Sequence, residues 1–163
     1  MTGMTTVEPR VTSYEPPSRF RTMMKIGNAV MVPMLRSRIG ARMHDLALLN
    51  VTGRRTGKRY TIPVGYHELE GEGIVLTSSA WRKNLRGGAD VAVTHEGRTR
   101  RMHAEVLEEP GAIADIYGTM LERVGVRHSF RVGLRVAGDE MPTHDELMDA
   151  IGGRRAVVRL TAA

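Results

Sequence analysis

Residues 51–66 read VTGRRTGKRYTIPVGY, and the fold turns on whether this stretch enters a strand or a helix. From Lys58 to His67 the residues alternate, with Tyr60, Ile62, Val64 and Tyr66 on one face, the period-two pattern of a half-buried strand. The run from Asp45 to Thr52 is apolar and reads as a strand too. Gly53 to Arg59 is then a turn between two strands. A nucleotide-binding P-loop is excluded by spacing: three residues separate Gly53 from Gly57, Arg59 follows Lys58 where Ser or Thr is needed, and a strand follows in place of a helix. The turn still has an anion binder's chemistry. Its glycines let backbone amides face outward, Arg54, Arg55, Lys58 and Arg59 supply charged donors, and Thr56 supplies a hydroxyl. An ordinary basic hairpin turn is the competing reading.

Downstream, Glu68–Gly73 is turn chemistry and Ile74–Ser79 a strand, which predicts a hairpin with the run 58–67. Val91–Thr94 and Thr99–Leu107 flank the turn HEGR and predict a second hairpin, with Met102, Ala104 and Val106 facing inward. Between them WRKNLRGG, residues 81–88, predicts a loop or a single helical turn. Pro110 opens a helix that Gly125 closes; Thr143 and Glu146 have capping-box spacing before a helix stopped by Gly152-Gly153; Ala156–Leu160 is a closing strand. Upstream, apolar residues from Phe20 to Leu35 recur at helical spacing among cations, with Pro33 expected to bend or end that helix. The helix reads either as packing on the sheet or as a basic amphipathic surface for membrane or a partner subunit. Strands joined mostly by hairpins, with helices outside, predict a mainly β, α+β chain: a small antiparallel β-barrel, not a parallel α/β sheet. The organisation expected is a mobile arm over 1–17 and one domain over 18–163.

At 163 residues, 41% hydrophobic and 26% charged, the chain is a folded globular protein, neither disordered nor collagen-like. The net charge of +6 points to an anionic partner. The absence of cysteine removes disulfides, thiol nucleophiles, iron–sulfur clusters and cysteine zinc sites. No signal-peptide core or membrane-length apolar run is present, so a cytoplasmic location is expected, with membrane association through the basic helix as the variant. Nucleic acid is not expected, because Arg98, Arg100 and Arg101 have no interleaved aromatics and only 4% of the chain is aromatic. His44, His67, His95, His103, His128 and His144 are scattered, so no metal site is expected. No nucleophile elbow or carboxylate pair is visible, so in an enzyme a cofactor must carry the reactivity. The sole Trp, Trp81, followed by Asn84 and Leu85, reads as a core anchor or as the wall of a flat-ligand pocket.

The turn TGRRTG, Pro63 about six residues later and the W-x-x-NL of Trp81, Asn84 and Leu85 before the second hairpin together resemble the deazaflavin (F420)-dependent nitroreductase family of actinobacteria. These are split β-barrel, FMN-binding-like oxidoreductases. The resemblance covers about Leu46 to Leu107. It implies that Arg54, Arg55, Thr56 and Gly57, helped by Lys58 or Arg59, grip the anionic part of coenzyme F420. It also implies that Tyr60 and Pro63 flank the ring system while Ser78, Ser79, Trp81, Asn84 and Leu85 shape the other side. The implied reaction is hydride transfer between reduced deazaflavin and a quinone, nitro compound or activated alkene. Tyr66, Ser78, Tyr117, His128 and solvent are open as proton donors. FMN in the same barrel, or a non-enzymatic flavin or deazaflavin carrier, are the alternatives, and a homodimer is a further expectation. Three departures bear on the acceptor: a short link from Ser79 to Trp81, VRHSFRVGL in place of a Tyr-rich segment, and a divergent end from Gly133 to Ala163. The positive charge gathers in the N-terminal residues 1–44 and in segments 53–59 and 81–101, the last two of which the barrel reading puts beside one cleft.

Overall fold

A computed structural model describes residues 8–14 and 29–163. Their contacts form two compact units. One holds the described part of Met1–Glu15 with Glu109–Arg154; the other holds the described part of Pro16–Glu108 with Arg155–Ala163.

The second unit is a single antiparallel sheet. Its strands are β2 (Leu46–Thr52), β3 (Arg59–Gly65), β4 (His67–Leu69), β5 (Glu72–Thr77), β6 (Ala89–His95), β7 (Arg98–Leu107) and β9 (Ala156–Ala162), in the order β3-β2-β6-β7-β9-β5-β4. The two edge strands, β3 and β4, are one run of chain interrupted only at Tyr66, so the sheet must curl until its edges meet there. At that joint the Tyr66 backbone N–H donates to the Asp45 carbonyl. This is the expected split barrel, with one correction. Residues 59–65 pair with β2, from Thr52 opposite Arg59 to Leu46 opposite Gly65, and only 67–69 form the hairpin with β5. Curling forces the long alternating run to change partner midway, and alternation carries no sign of that. The closing strand sits centrally, between β5 and β7.

The barrel interior is made by the alternating faces: Ala47, Leu49 and Val51 of β2, Val91 and Val93 of β6, Ala104 of β7, and Val158 and Leu160 of β9, with Val75 and Leu85. Ile62, Tyr66, Trp81 and Met102 pack against this core while staying partly exposed. At roughly 25 cal/mol per Å² of apolar area, these fully buried branched side chains supply most of the force holding the sheet closed. Both hairpin turns, at Glu70-Gly71 and Glu96-Gly97, have two successive positive φ values, the twist that two-residue connections need.

The described residues 29–36 are helical (α1); the helix continues through Pro33 and ends at Arg36, so Pro33 does not end it. A proline costs a helix one internal hydrogen bond and does not forbid three more residues. The stripe expected from Phe20 to Met24 lies outside the described residues.

In the first unit, α2 (Pro110–Val124) starts on Glu109, whose carboxylate accepts from the Gly111 and Ala112 amides. Next comes a 3-10 segment, Val126–Val132. The second helix, α3 (His144–Ile151), has the expected capping box between Thr143 and Glu146 and ends on left-handed Gly152. Within the stretch read as a mobile arm, Val11–Ser13 is a strand, β1, paired antiparallel with β8 (Leu134–Val136). Arg10 secures it with a bidentate pair to Glu146, at 3.1 and 2.8 Å, and bonds to the Glu140 and Met141 carbonyls.

Candidate functional site

The turn between β2 and β3 is built by two backbone bonds, Gly53 N–H to the Lys58 carbonyl at 2.8 Å and Gly57 N–H to the Gly53 carbonyl at 2.9 Å. Gly57 sits at φ +68°, where a side chain is strained. Gly53 is needed for space: a Cβ there would lie 3.2 Å from Thr56 Oγ1 and 3.3 Å from the Tyr60 ring. The turn faces a 3-10 segment, Ala80–Leu85. One hydrogen bond joins them, from the Arg54 backbone N–H to Asn84 Oδ1 at 3.1 Å, while Asn84 Nδ2 donates to the Trp81 carbonyl at 3.1 Å.

The two segments enclose a cleft of about 720 Å³, within the range of cofactor sites. Arg54, Arg55, Thr56, Tyr60, Trp81 and Asn84, all expected from the sequence, line it together. Trp81 satisfies both of its readings, packing against the core and facing the cleft. Of the other expected residues, Leu85 is 1% exposed and belongs to the core, and Gly57, Lys58, Arg59, Pro63, Ser78 and Ser79 are not in the lining. Lys58 holds its ammonium 5.5 Å from the centre of the Tyr60 ring, so it backs the wall from outside.

Gly53, already read as part of the anion-binding turn, lines the cleft as well, and so do Lys83, Arg86, Ile62 and Ala80, which were not among the expected site residues. For Lys83 the signal was its place one residue before Asn84 in a 3-10 turn. Four cations and no carboxylate line the cleft. Arg86 is the least available of the four, since Glu108 accepts from its Nε and Nη2 at 3.0 and 2.8 Å; that pairing holds the Glu108 carboxyl below its ordinary range. Arg54, Arg55 and Lys83 remain to meet a ligand's negative charge. The arrangement can therefore hold a multiply charged anion at one end and a flat ring against Tyr60, Ile62 and Trp81.

The proposed proton donors scatter. Tyr66 is at the other end of the barrel, stacked on His95; Ser78 is exposed and outside the cleft lining; Tyr117 is completely buried in α2. Among the described residues no three acidic or histidine side chains gather as a metal site, and no helix is long and apolar enough to cross a membrane.

No curated protein matches this chain in sequence. Among solved structures, a conserved hypothetical protein of Mycobacterium tuberculosis is 20% identical over 82% of this chain and 79% of its own, with a TM-score of 0.45. An FAD and heme binding protein of Mycobacterium smegmatis is 21% identical over 78% and 68%, at 0.40. A pyridoxamine 5'-phosphate oxidase-related, FMN binding protein of Nostoc punctiforme is 12% identical over 83% and 80%, at 0.48. These are likenesses of general fold only. A sequence profile carries more weight, matching residues 26–128, well over half of the chain, and on that match the chain belongs to the F420H2-dependent quinone reductase family.

Proposed function

We propose that the chain is an F420-dependent oxidoreductase whose cofactor lies in the cleft between the basic turn and Trp81. The carrying observation is the composition of that cleft. Three guanidinium or ammonium groups without a carboxylate partner face it, together with an aromatic and aliphatic wall. The group fits these residues: a phosphate and oligoglutamate tail needs several fixed cations, and a fused ring needs flat apolar walls.

When bound, the reduced deazaflavin supplies a hydride to an organic acceptor such as a quinone, a nitro compound or an activated alkene, and a proton completes the reduction. Arg54, Arg55 and Lys83 bind the anionic tail, with Thr56 as an added donor. Tyr60, Ile62 and Trp81 orient the ring and keep water from its face. Asn84 fixes the distance between the two walls. No carboxyl or imidazole lines the cleft; its titratable donors are the Tyr60 phenol and the Lys83 ammonium beside the arginines, and solvent is the further source of the proton.

Trp81 is the sole Trp of the chain, so its quenching reports on this cleft. Titration with F420 should quench it saturably, and titration with FMN should do so more weakly, FMN having one phosphate to offer. Oxidation of the reduced deazaflavin by menadione should then depend on the protein. Equal weak binding of both cofactors would overturn the reading. Tight F420 binding without any turnover would leave a carrier.

A further inference from the structure

The cations of segment 81–101 do not share one end of the barrel, contrary to the expectation of a single cleft. Lys83 and Arg86 stand with the turn that joins Thr52 to Arg59. Arg98, Arg100 and Arg101 stand at the other end of β2, where Ala47 pairs with His95 and His95 with Arg98. Seven residues of strand separate the two ends, about 20 Å.

At that far end the barrel opens into a second cavity of about 390 Å³. The register puts Arg98 opposite His95 and Arg100 opposite Val93, on the face that carries Val93, Met102 and Ala104 into the core. Two arginines therefore finish an inward-facing row that alternation would fill with apolar residues. Neither guanidinium makes a hydrogen bond or a close ion pair among the described residues, although Arg98 acts on the Glu96 carboxylate and Arg100 on the Tyr66 phenol through their charge. Arg101 pairs with Asp90 at 2.9 Å, and the Glu96 carboxylate pairs with His44 while also feeling the charge of Arg98; Glu68 lines the cavity too, so two carboxylates share it with the arginines.

The wall beside these arginines is flat and held in place. The Tyr66 and His95 rings stack with centroids 4.0 Å apart and planes 27° apart. His95 Nε2–H donates to the His44 carbonyl at 2.7 Å, which fixes the ring and its tautomer. The Tyr66 phenol lies over Gly73, where a Cβ would come within 2.6 Å of its oxygen. Burial raises the phenol above its ordinary pKa, so it is a neutral donor at physiological pH.

We propose that the end of the barrel remote from the cleft is a second ligand site, for a compact anion carried on a single flat ring, held by Arg98 and Arg100 against the Tyr66–His95 stack. Two guanidinium forks whose N–H groups have no hydrogen-bond acceptor among the described residues suit a carboxylate or phosphate. A fixed aromatic pair suits a ring, and the volume suits one ring and its head group.

The test uses the full chain, with the Met102 methyl and His95 ring resonances as reporters. The probes are phenyl phosphate, benzoate, inorganic phosphate and phenol. Phenyl phosphate or benzoate should shift both reporters saturably, inorganic phosphate should bind at least threefold more weakly than the better of the two, and phenol should not bind. Arg98→Gln with Arg100→Gln should weaken binding at least tenfold, while Arg54→Gln with Arg55→Gln should leave it within twofold. Should the double variant fail to fold, Arg100→Lys alone keeps the charge, loses the fork and should weaken binding about threefold. Absence of saturable shifts, binding indifferent to Arg98 and Arg100, or equal binding of phenol would overturn the site. Equal affinity for inorganic phosphate would overturn the role of the ring.

Discussion

The backbone N–H of Arg54 donates to Asn84 Oδ1 across 3.1 Å, so residues thirty apart in sequence hold the two walls of the cleft at a fixed spacing. Asn84 is half-buried and its Nδ2 also holds the Trp81 carbonyl. Asn84→Leu keeps the branched shape, though not the volume, and removes both bonds. Each is worth about 0.5–1.5 kcal/mol net, and most of the loss should fall on the bound state, where the turn must stay ordered. F420 affinity is expected to drop about three- to tenfold by Trp81 quenching, with the fold retained by circular dichroism. Unchanged affinity would mean that the clamp does not set the cleft.

Arg54 and Arg55 are exposed on a turn and have no side-chain partner among the described residues, so their removal should cost little stability. Arg54→Ala with Arg55→Ala should weaken F420 binding more than tenfold at low ionic strength. The deficit should narrow as salt rises, because at about 1 M the Debye length falls to roughly 3 Å. A loss independent of salt would instead indicate that the turn had been reshaped.

The same cleft shows what the residues reveal and what they hide. Its basic turn and its Trp81 turn are local features, each coded by glycine placement and spacing within ten residues. Their meeting follows once the strands are counted into a barrel. The fate of Tyr66 was not legible, because period-two alternation tells which face a residue takes and not at which end of a closed sheet it lies. Arg98 and Arg100 were hidden for the same reason. β1 was hidden by distance, since Val11 pairs with Val136 and nothing local to a short polar segment announces a partner so far along the chain.

Glu146 gives a pH dependence with a definite sign. The Arg10 guanidinium, and next the Thr143 amide, hold its carboxyl down from an ordinary 4.5 to about 2. A depressed folded pKa means that the stabilisation is fully present above about 4.5 and is lost as pH falls towards 2. Glu146→Gln should lower the thermal midpoint at pH 7, and the difference from the parent chain should shrink steadily between pH 4.5 and 2. A difference of constant size across that range would show that the charge pair does not anchor Arg10 and the strand beside it.

Arg82 supports the cleft from beneath. It is buried, its Nη1 donates to the Ser78 and Ser79 carbonyls at 3.0 and 2.9 Å, and its Nε has no hydrogen-bond partner, lying 4.0 Å from Glu108. It thus ties the end of β5 to the segment that carries Trp81. Arg82→Ala removes two charge-assisted bonds and leaves a void, but Ser78 and Ser79 are exposed and water can reach their carbonyls. The expected cost is therefore about 1–3 kcal/mol, not the sum of two buried bonds. Urea unfolding should show this as a lower midpoint, with the Trp81 emission of the folded state moved to the red as the segment loosens. Arg82→Lys keeps the charge and can reach one carbonyl, so it should recover roughly half of the loss. An Arg82→Ala midpoint and emission equal to those of the parent would mean that the segment holds its shape through Asn84 alone.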